Sequence, residues 1–203
     1  NGRLKGVFHR MIQTIDGLLP DTDYEIMLVR ANEASETVTF HTEPEPITLN
    51  VRDFGAFGDG VHDDTSAIQA AILCCPKNAR VLIPKGTYPV TALFLKSDMI
   101  LELQENAVLA GIYDRARTPI LPGQIEYDNE DGYYNLGSWE GNPIDSFASM
   151  ITGIHVKNVT ICGKGVLDGR ADFENWWSRP KDKIRAWRPR MIFLNHCENI
   201  TVV

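Results

Sequence analysis

Two adjacent carboxylates, Asp63 and Asp64, form the most obvious acid–base pair in this 203-residue sequence. Neighbouring Asp side chains can act as a general acid and a general base. This pair follows a glycine-rich turn over residues 55–60 and precedes apolar residues at helical spacing. At the start of a helix a carboxylate accepts backbone N–H groups and interacts favourably with the helix dipole. We therefore interpret both residues as caps of a helix over Thr65–Leu73 rather than as a catalytic dyad.

The charged segment 170–190 is a second candidate site. Its seven basic and three acidic side chains give a net charge of +4, although the whole chain carries -7. A cationic segment attracts anionic ligands, and the flat rings of Trp176 and Trp177 suit stacking on sugar rings. Arg188 stands directly before an expected strand. We predict that Arg188, Trp176 and Trp177 contact an anionic polysaccharide; the alternative is a solvated surface loop.

The segment 123–145 has the opposite character, with six acidic side chains and no Lys or Arg. Its oxygen ligands do not match an EF-hand, and the five histidines and four cysteines show no metal-ligand spacing. We therefore predict no metal and no other cofactor. Tyr127, Tyr133, Tyr134 and Trp139 either wall off one end of a groove or pack the segment onto the rest of the fold.

Composition narrows the class of protein further. Hydrophobic residues make up 43% and charged residues 23%, which is typical of a globular protein. No apolar run reaches the roughly 18 residues that a membrane span needs. The acidic chain is also a poor match to the phosphate backbone of nucleic acids, which requires clustered Lys and Arg. We therefore expect neither a membrane nor a nucleic-acid partner.

The elements that must position these residues fall into two regions. The first reads as short strands separated by turns, Phe8–Ile15, Tyr24–Arg30 and Thr37–His41. Tyr24 follows a proline-containing turn, as in a tyrosine corner, and the region resembles the last strands of a fibronectin type III domain. The Glu-Pro-Glu-Pro sequence at 43–46 predicts a stiff linker. We expect a partial fibronectin-like domain and linker over residues 1–45, and a second domain over 46–203.

The second region carries an internal repeat. His155–Cys162 aligns with His196–Val203, sharing His, Asn and Thr at matching places. Short apolar strands that recur with Asn or Gly at bends are typical of a parallel β-helix, in which each coil buries a face against the next. The Asn-x-Thr motif in each copy falls at such a bend, so we interpret it as structural rather than as a glycosylation site. Residues 112–147 and 170–190 interrupt the repeat and are predicted to be long loops.

Five stretches of the second region share a pattern with a known enzyme family. They are Val51–Ala71, Val81–Tyr88, Gly163–Gly169, the Trp176-Trp177 pair and Arg188–Phe193. Together they resemble polygalacturonases of glycoside hydrolase family 28, and the fibronectin-like region is similar to that of bacterial exo-acting members. The resemblance implies an all-β fold, a right-handed parallel β-helix, and inverting hydrolysis of α-1,4-galacturonan (pectate) by carboxylates without metal. It also implies polygalacturonate as the ligand of Arg188, Trp176 and Trp177, and therefore a secreted or periplasmic protein.

The catalytic motifs of that family are absent from this sequence. The resemblance implies Asn-Thr-Asp, Asp-Asp, Gly-His-Gly and Arg-Ile-Lys motifs on later coils, and the only Asp-Asp pair here is the one at residues 63–64. The chain ends at Val203 within an apolar run typical of a strand. We therefore expect a piece of a longer enzyme, inactive alone, with its catalytic residues beyond Val203. The alternatives are another β-helix pectinase (a rhamnogalacturonan hydrolase or a lyase) and a non-catalytic glycan-binding β-helix.

Overall fold

The computed structural model describes residues 7, 15, 17–30, 33–126 and 133–203. The chain divides into two compact units, Asn1–Pro46 and Ile47–Val203. Within the described residues the regular secondary structure is mostly strand, with one α-helix, α1, over Thr65–Cys74 and a 3-10 helix over Val51–Phe54. No helix in this part of the chain is long and apolar enough to cross a membrane.

The first unit contains an antiparallel hairpin of β1 (Asp23–Arg30) and β2 (Glu33–His41). The backbone N–H of Leu19 donates to the Tyr24 hydroxyl at 2.7 Å, which is the kind of bond that a tyrosine corner requires. The strand predicted over Phe8–Ile15 falls almost entirely outside the described residues. The fibronectin-like domain therefore stays a prediction.

The second unit consists of parallel strands that stack coil upon coil in three sheets. Sheet I contains β3 (Thr48–Asn50), β4 (Ala79–Ile83), β7 (Met99–Leu103), β16 (Lys157–Gly163) and β19 (Glu198–Val202). Sheet II contains β5 (Gly86–Val90), β8 (Ala107–Gly111) and β17 (Val166–Asp168). Sheet III contains β6 (Leu93–Phe94), β15 (Ile151–Ile154) and β18 (Ile192–Asn195). From β6 onward the strands visit sheets III, I and II in turn, so the unit is a parallel β-helix, as predicted.

Every second residue of the sheet I strands points into the core. Val81, Leu101 and Ile161 occupy adjacent register positions and are buried. Because side chains alternate across a strand, the residues between them face outward. There the guanidinium of Arg80 pairs with the Glu102 carboxylate at 2.9 Å. The repeated apolar spacing in the sequence therefore becomes a continuous column of core side chains.

The bends between sheets III and I carry residues in the left-handed conformation. Asp98, Asn158 and Asn199 have φ of 60°, 54° and 54°, which Asn and Asp tolerate better than most residues. The Asn158 amide donates to Asp98 Oδ1 at 2.7 Å, and the Asn199 amide donates to Asn158 Oδ1 at 3.0 Å. The bond from Asn158, and secondarily the charge of Lys77, hold the pKa of Asp98 below its ordinary value. The bends predicted at both Asn-x-Thr motifs are confirmed.

Helix α1 packs against the first coils and ends one residue later than predicted. Ile68, Ala71 and Ile72 of its apolar stripe are buried in the core. The Gln69 side-chain amide donates to the Phe94 carbonyl at 2.9 Å, and its oxygen accepts from the Phe94 N–H at 2.7 Å. These two bonds stand in for a neighbouring strand at β6, the edge of sheet III, where unpaired backbone groups would invite association.

Two insertions leave the coils at the same corner, where the chain passes from sheet II to sheet III. They span residues 112–150 and 169–191, close to the predicted loops. The second connects β17 to β18. The described residues of the first contain six short strands: β9 (Ile120–Leu121), β10 (Gln124–Glu126), β11 (Tyr133–Asn135), β12 (Ser138–Trp139), β13 (Asn142–Pro143) and β14 (Ser146–Phe147).

Gly163 lies at a close approach between neighbouring coils. Its φ is +109°, and a Cβ added there would collide with the carbonyl oxygen of Leu103 on the adjacent strand β7. Only glycine combines a positive φ of this kind with the absence of a side chain. The requirement explains the first glycine of the Gly163–Gly169 motif.

Replacing Gly163 with Ala should lower the free energy of unfolding by about 3 kcal/mol or more, because left-handed strain adds to the collision. Gly141→Ala is the matched control: Gly141 has a φ of +81°, but an added Cβ meets nothing within 4 Å. Urea unfolding of the two variants measures the difference. Equal losses would contradict a close approach at Gly163.

Candidate functional site

The carboxylate of Asp64 holds the glycine-rich turn rather than capping α1. Asp64 occupies the N-cap position, but its side chain makes no cap hydrogen bond. Instead Oδ1 accepts from the Phe57 N–H at 2.6 Å and Oδ2 accepts from the Gly58 N–H at 3.0 Å, and the residue is 1% exposed. The prediction that its side chain caps the helix is therefore wrong. The turn, with Gly58 at a φ of +60°, places the N–H groups of Phe57 and Gly58 at the carboxylate, and these bonds take the place of a bond to the helix N-terminus.

Asp63 is the residue whose side chain caps α1. Its Oδ1 accepts from the Thr65 N–H at 2.9 Å and from the Thr65 hydroxyl at 2.6 Å. Its other oxygen pairs with Arg117 at the base of the first insertion. All four oxygens of the two carboxylates are thus engaged by neighbouring groups, which argues against a catalytic dyad at this pair.

The first insertion lies over the outer face of sheet III. Thr152, which faces outward between Phe94 and Phe193, is 1% exposed. The Asn195 side-chain amide, at the end of β18, donates to the carbonyl of Leu136 at 3.0 Å and ties the insertion to the sheet. An outer sheet face is normally open to ligands, so the insertion closes this part of it.

Aromatic residues predicted to line a wall are described only in part. Tyr127 lies outside the described residues, and the side chains of Tyr133 and Tyr134 are outside them as well. Trp139 is well exposed and stacks on Trp187 of the second insertion, with ring centroids 6.4 Å apart and planes 13° from parallel. The two insertions therefore share an exposed aromatic surface.

Arg188 and Trp177, two of the predicted contact residues, lie together on the second insertion. The Arg188 guanidinium carbon is 4.2 Å from the centroid of the Trp177 ring, a cation–π contact. Its Nη1 donates to the carbonyl of Pro180 at 2.9 Å. Trp177 is 44% exposed. Because Arg188 covers one face of the indole, a sugar ring can stack only on the other.

Trp176 occupies a different environment from its neighbour. It is 5% exposed and packs with Phe147 and Ala186 in a small core between the insertions. Tyr113 approaches its ring edge-to-face at 5.2 Å, and the Arg115 guanidinium lies 4.7 Å from its centroid. This placement argues for a packing role and against direct contact with a sugar.

Several other charges of the second insertion are compensated locally. Arg170 pairs with Asp168 at 3.9 Å, Arg179 with Asp182 at 3.7 Å, and Lys183 with Asp145 at 3.6 Å. By contrast, no carboxylate of the described residues pairs with Arg188. The described residues also contain no group of three or more His, Cys, Asp or Glu side chains that could hold a metal ion. Lys181, Arg185 and Arg190 of this segment likewise have no carboxylate partner among the described residues, and Arg188 differs from them in lying on the exposed Trp177 ring.

Residues 48–172, more than half of the chain, match the protein family described as rhamnogalacturonase A/epimerase, pectate lyase-like. The chain belongs to this family. It is 35% identical over 184 residues to the exo-poly-alpha-D-galacturonosidase of Dickeya chrysanthemi, covering 86% of this chain and 29% of the relative. The plasmin and fibronectin-binding protein A of Streptococcus pneumoniae is 48% identical, but over only 75 residues, 34% of this chain and 10% of that protein.

A solved structure gives the same result for the fold. The family 28 exopolygalacturonase of Yersinia enterocolitica superposes with a TM-score of 0.71 at 29% identity, covering 92% of this chain and 40% of that one. The predicted right-handed parallel β-helix and the resemblance to polygalacturonases are thereby confirmed. The chain spans 29% of the Dickeya relative and 40% of the Yersinia chain.

Replacing Asp64 with Asn should lower the free energy of unfolding by about 2–4 kcal/mol, because an amide cannot accept from both turn N–H groups with the strength of a carboxylate. Asp63→Asn is the control and should cost less than about 1 kcal/mol, since Asn caps helices as well as Asp does. Thermal unfolding of both variants makes the comparison.

Asp64→Asn should also leave the turnover of the folded full-length protein nearly intact. A rate loss of about a thousandfold without loss of folded protein would instead make Asp64 catalytic.

Proposed function

We propose that the full-length protein hydrolyses α-1,4-galacturonan from the chain end, by inversion and without a metal. The observation that carries this proposal is the similarity to an exo-poly-alpha-D-galacturonosidase over 86% of the chain. That match covers 184 residues, compared with 75 residues for the pneumococcal binding protein. Polygalacturonate is a large extracellular polymer, so the protein acts outside the cell or in the periplasm.

The first insertion supports action at the chain end. It lies across the outer face of sheet III and is tied to β18 through the bond from Asn195 to Leu136. A polymer running along that face would meet the insertion as a wall. An enzyme with such a wall accepts a terminal sugar more readily than the middle of a chain, which is the behaviour expected of an exo-acting hydrolase.

The Arg188–Trp177 pair supports an anionic sugar as the ligand. A guanidinium forms paired hydrogen bonds with a carboxylate, and an indole stacks on the apolar face of a sugar ring. The two groups lie together at 4.2 Å, and the carboxylate partner that the Arg188 guanidinium lacks among the described residues would come from a uronate. Trp176 acts indirectly, by packing the insertion that carries this pair.

This chain supplies a wall and the N-terminal coils rather than the reacting groups. Both Asp63 and Asp64 are engaged in structural bonds, and the sequence contains no Asn-Thr-Asp, Gly-His-Gly or Arg-Ile-Lys motif. The catalytic carboxylates accordingly belong to other coils of the full-length protein. The first unit acts as part of a fibronectin type III-like module, which the Leu19–Tyr24 bond supports.

The alternatives on the same fold are a rhamnogalacturonan hydrolase, a lyase and a glycan-binding β-helix without catalysis. The binding alternative is favoured by the 48% identity to the pneumococcal binding protein, but that match covers only 34% of this chain.

Incubating the full-length protein with polygalacturonate tests these alternatives. A hydrolase releases reducing ends without ultraviolet-absorbing unsaturated products, and exo action yields a single small product from the start of the reaction. Unsaturated products would identify a lyase, an early ladder of oligosaccharides would contradict exo action, and binding without product would favour the non-catalytic protein.

Arg188→Ala in the full-length protein should raise KM for polygalacturonate about tenfold while leaving kcat within about threefold, because it removes a binding contact remote from the reacting atoms. Arg170→Ala is the control of equal charge change, since Arg170 lies on the same insertion as Arg188 but pairs with Asp168 at the end of β17. Steady-state kinetics on polygalacturonate measure KM and kcat for both variants. An unchanged KM for Arg188→Ala would remove this residue from the site.

A further inference from the structure

We infer that Arg115 is a positioning residue that anchors both ends of the loop 177–184 and thereby sets the Arg188–Trp177 pair. Arg115 lies at the base of the first insertion, whereas the loop belongs to the second. The anchoring follows from the contacts of Arg115 alone. Its consequence for substrate binding rests on the function proposed above.

The first end of the loop is fixed by aromatic contacts. The Arg115 guanidinium carbon lies 4.7 Å from the ring centroid of Trp176, 5.5 Å from that of Phe147 and 5.7 Å from that of Tyr113. Cations are attracted to the faces of aromatic rings, most strongly where water is excluded. Trp176 and Phe147 are buried. The residue directly before the loop is therefore held against Arg115.

The second end of the loop is fixed by hydrogen bonds. Arg115 Nη1 donates to the carbonyl of Ile184 at 3.3 Å. In return, Arg185 donates through its guanidinium to the carbonyl of Arg115. Ala186, one residue further, is buried beside Phe147 and Trp176. A single residue of the first insertion thus contacts the chain immediately before and immediately after the loop.

The anchored loop carries the partners of Arg188. Trp177, at its start, provides the ring beneath the guanidinium, and Pro180, near its middle, provides the carbonyl that accepts from Nη1 at 2.9 Å. If the ends of the loop move, both partners of Arg188 move with them. Arg115 consequently acts on the ligand through Arg188, not by touching the ligand.

Lysine cannot replace Arg115 in this role. The planar guanidinium lies among three rings while one of its nitrogens donates to Ile184, and no carboxylate of the described residues pairs with it. A lysine ammonium has the charge but neither the plane nor the rigid fork of donors. Arg115→Lys therefore removes the geometry while preserving the charge.

Limited proteolysis with trypsin tests the anchoring without reference to activity. The trypsin bonds concerned are Lys183–Ile184 and Arg185–Ala186, at the anchored end of the loop. In the full-length protein, Arg115→Met and Arg115→Lys should speed cleavage at these bonds about tenfold, because cleavage follows the population of the open loop. Mass spectrometry of the fragments over time identifies the bonds and gives the rates.

Arg117→Met is the matched control, two residues along the same turn. Arg117 contacts Asp63 and Asp114 instead of the second insertion, so its replacement should leave both cleavage rates unchanged. Circular dichroism and thermal unfolding establish that each variant is folded. Should Arg115→Met not fold, Arg115→Lys carries the test alone.

Kinetics on polygalacturonate test the positioning role. Arg115→Lys should raise KM about fivefold or more with kcat nearly unchanged, as expected when a binding contact is misplaced. Unchanged cleavage in the folded Arg115 variants would overturn the anchoring. Faster cleavage with unchanged KM would overturn the positioning role. Failure of the proposed function is a separate result, since it appears as an inactive wild-type protein while the cleavage rates still decide the anchoring.

Discussion

Backbone hydrogen bonding between successive coils is the constraint on which this structure depends. A residue inserted within a strand would shift the register, and a shift of one residue moves every core side chain to the outer face. Additional chain is tolerated only where a coil turns from one sheet to the next. Both insertions use the corner between sheets II and III, and this shared origin brings Phe147 and Trp176 into one small core. The candidate site therefore lies at this corner because the strand register excludes insertions within the strands.

The same constraint creates an edge that has to be protected. The hydrogen bonds of a β-helix run along its axis, so the first coil presents backbone groups with no strand beyond them. At β6 the amide of Gln69 supplies both a donor and an acceptor to Phe94. The Asp64 carboxylate does the equivalent for the two N–H groups of the glycine turn. Polar side chains near the start of the unit thus satisfy backbone groups that have no neighbouring strand. The adjacent Asp pair belongs to this set and is therefore structural.

The sequence predicts periodic features of this molecule well. Repeated His, Asn and Thr predict coils and bends because the same local conformation recurs, as the left-handed φ of both Asn158 and Asn199 shows. The insertions are predicted from the breaks in that rhythm. The hydrogen-bond partners of Asp64 could not be predicted from the sequence, because they depend on the direction in which the turn at Gly58 points its backbone N–H groups. The role of Arg115 could not be predicted from the sequence either, since its ring partners Phe147 and Trp176 are distant in sequence.

The adjacent tryptophans show why residue type alone does not separate packing from binding. Each carries an arginine on its ring, at 4.7 Å for Arg115 on Trp176 and 4.2 Å for Arg188 on Trp177. The interaction is the same, but its surroundings differ. At Trp176 the ring is buried between the insertions, so the cation–π contact holds one insertion against the other. At Trp177 the ring is exposed, and the guanidinium remains able to meet an anionic sugar. Burial, which only the fold determines, therefore divides one chemical contact into an anchor and a binding surface.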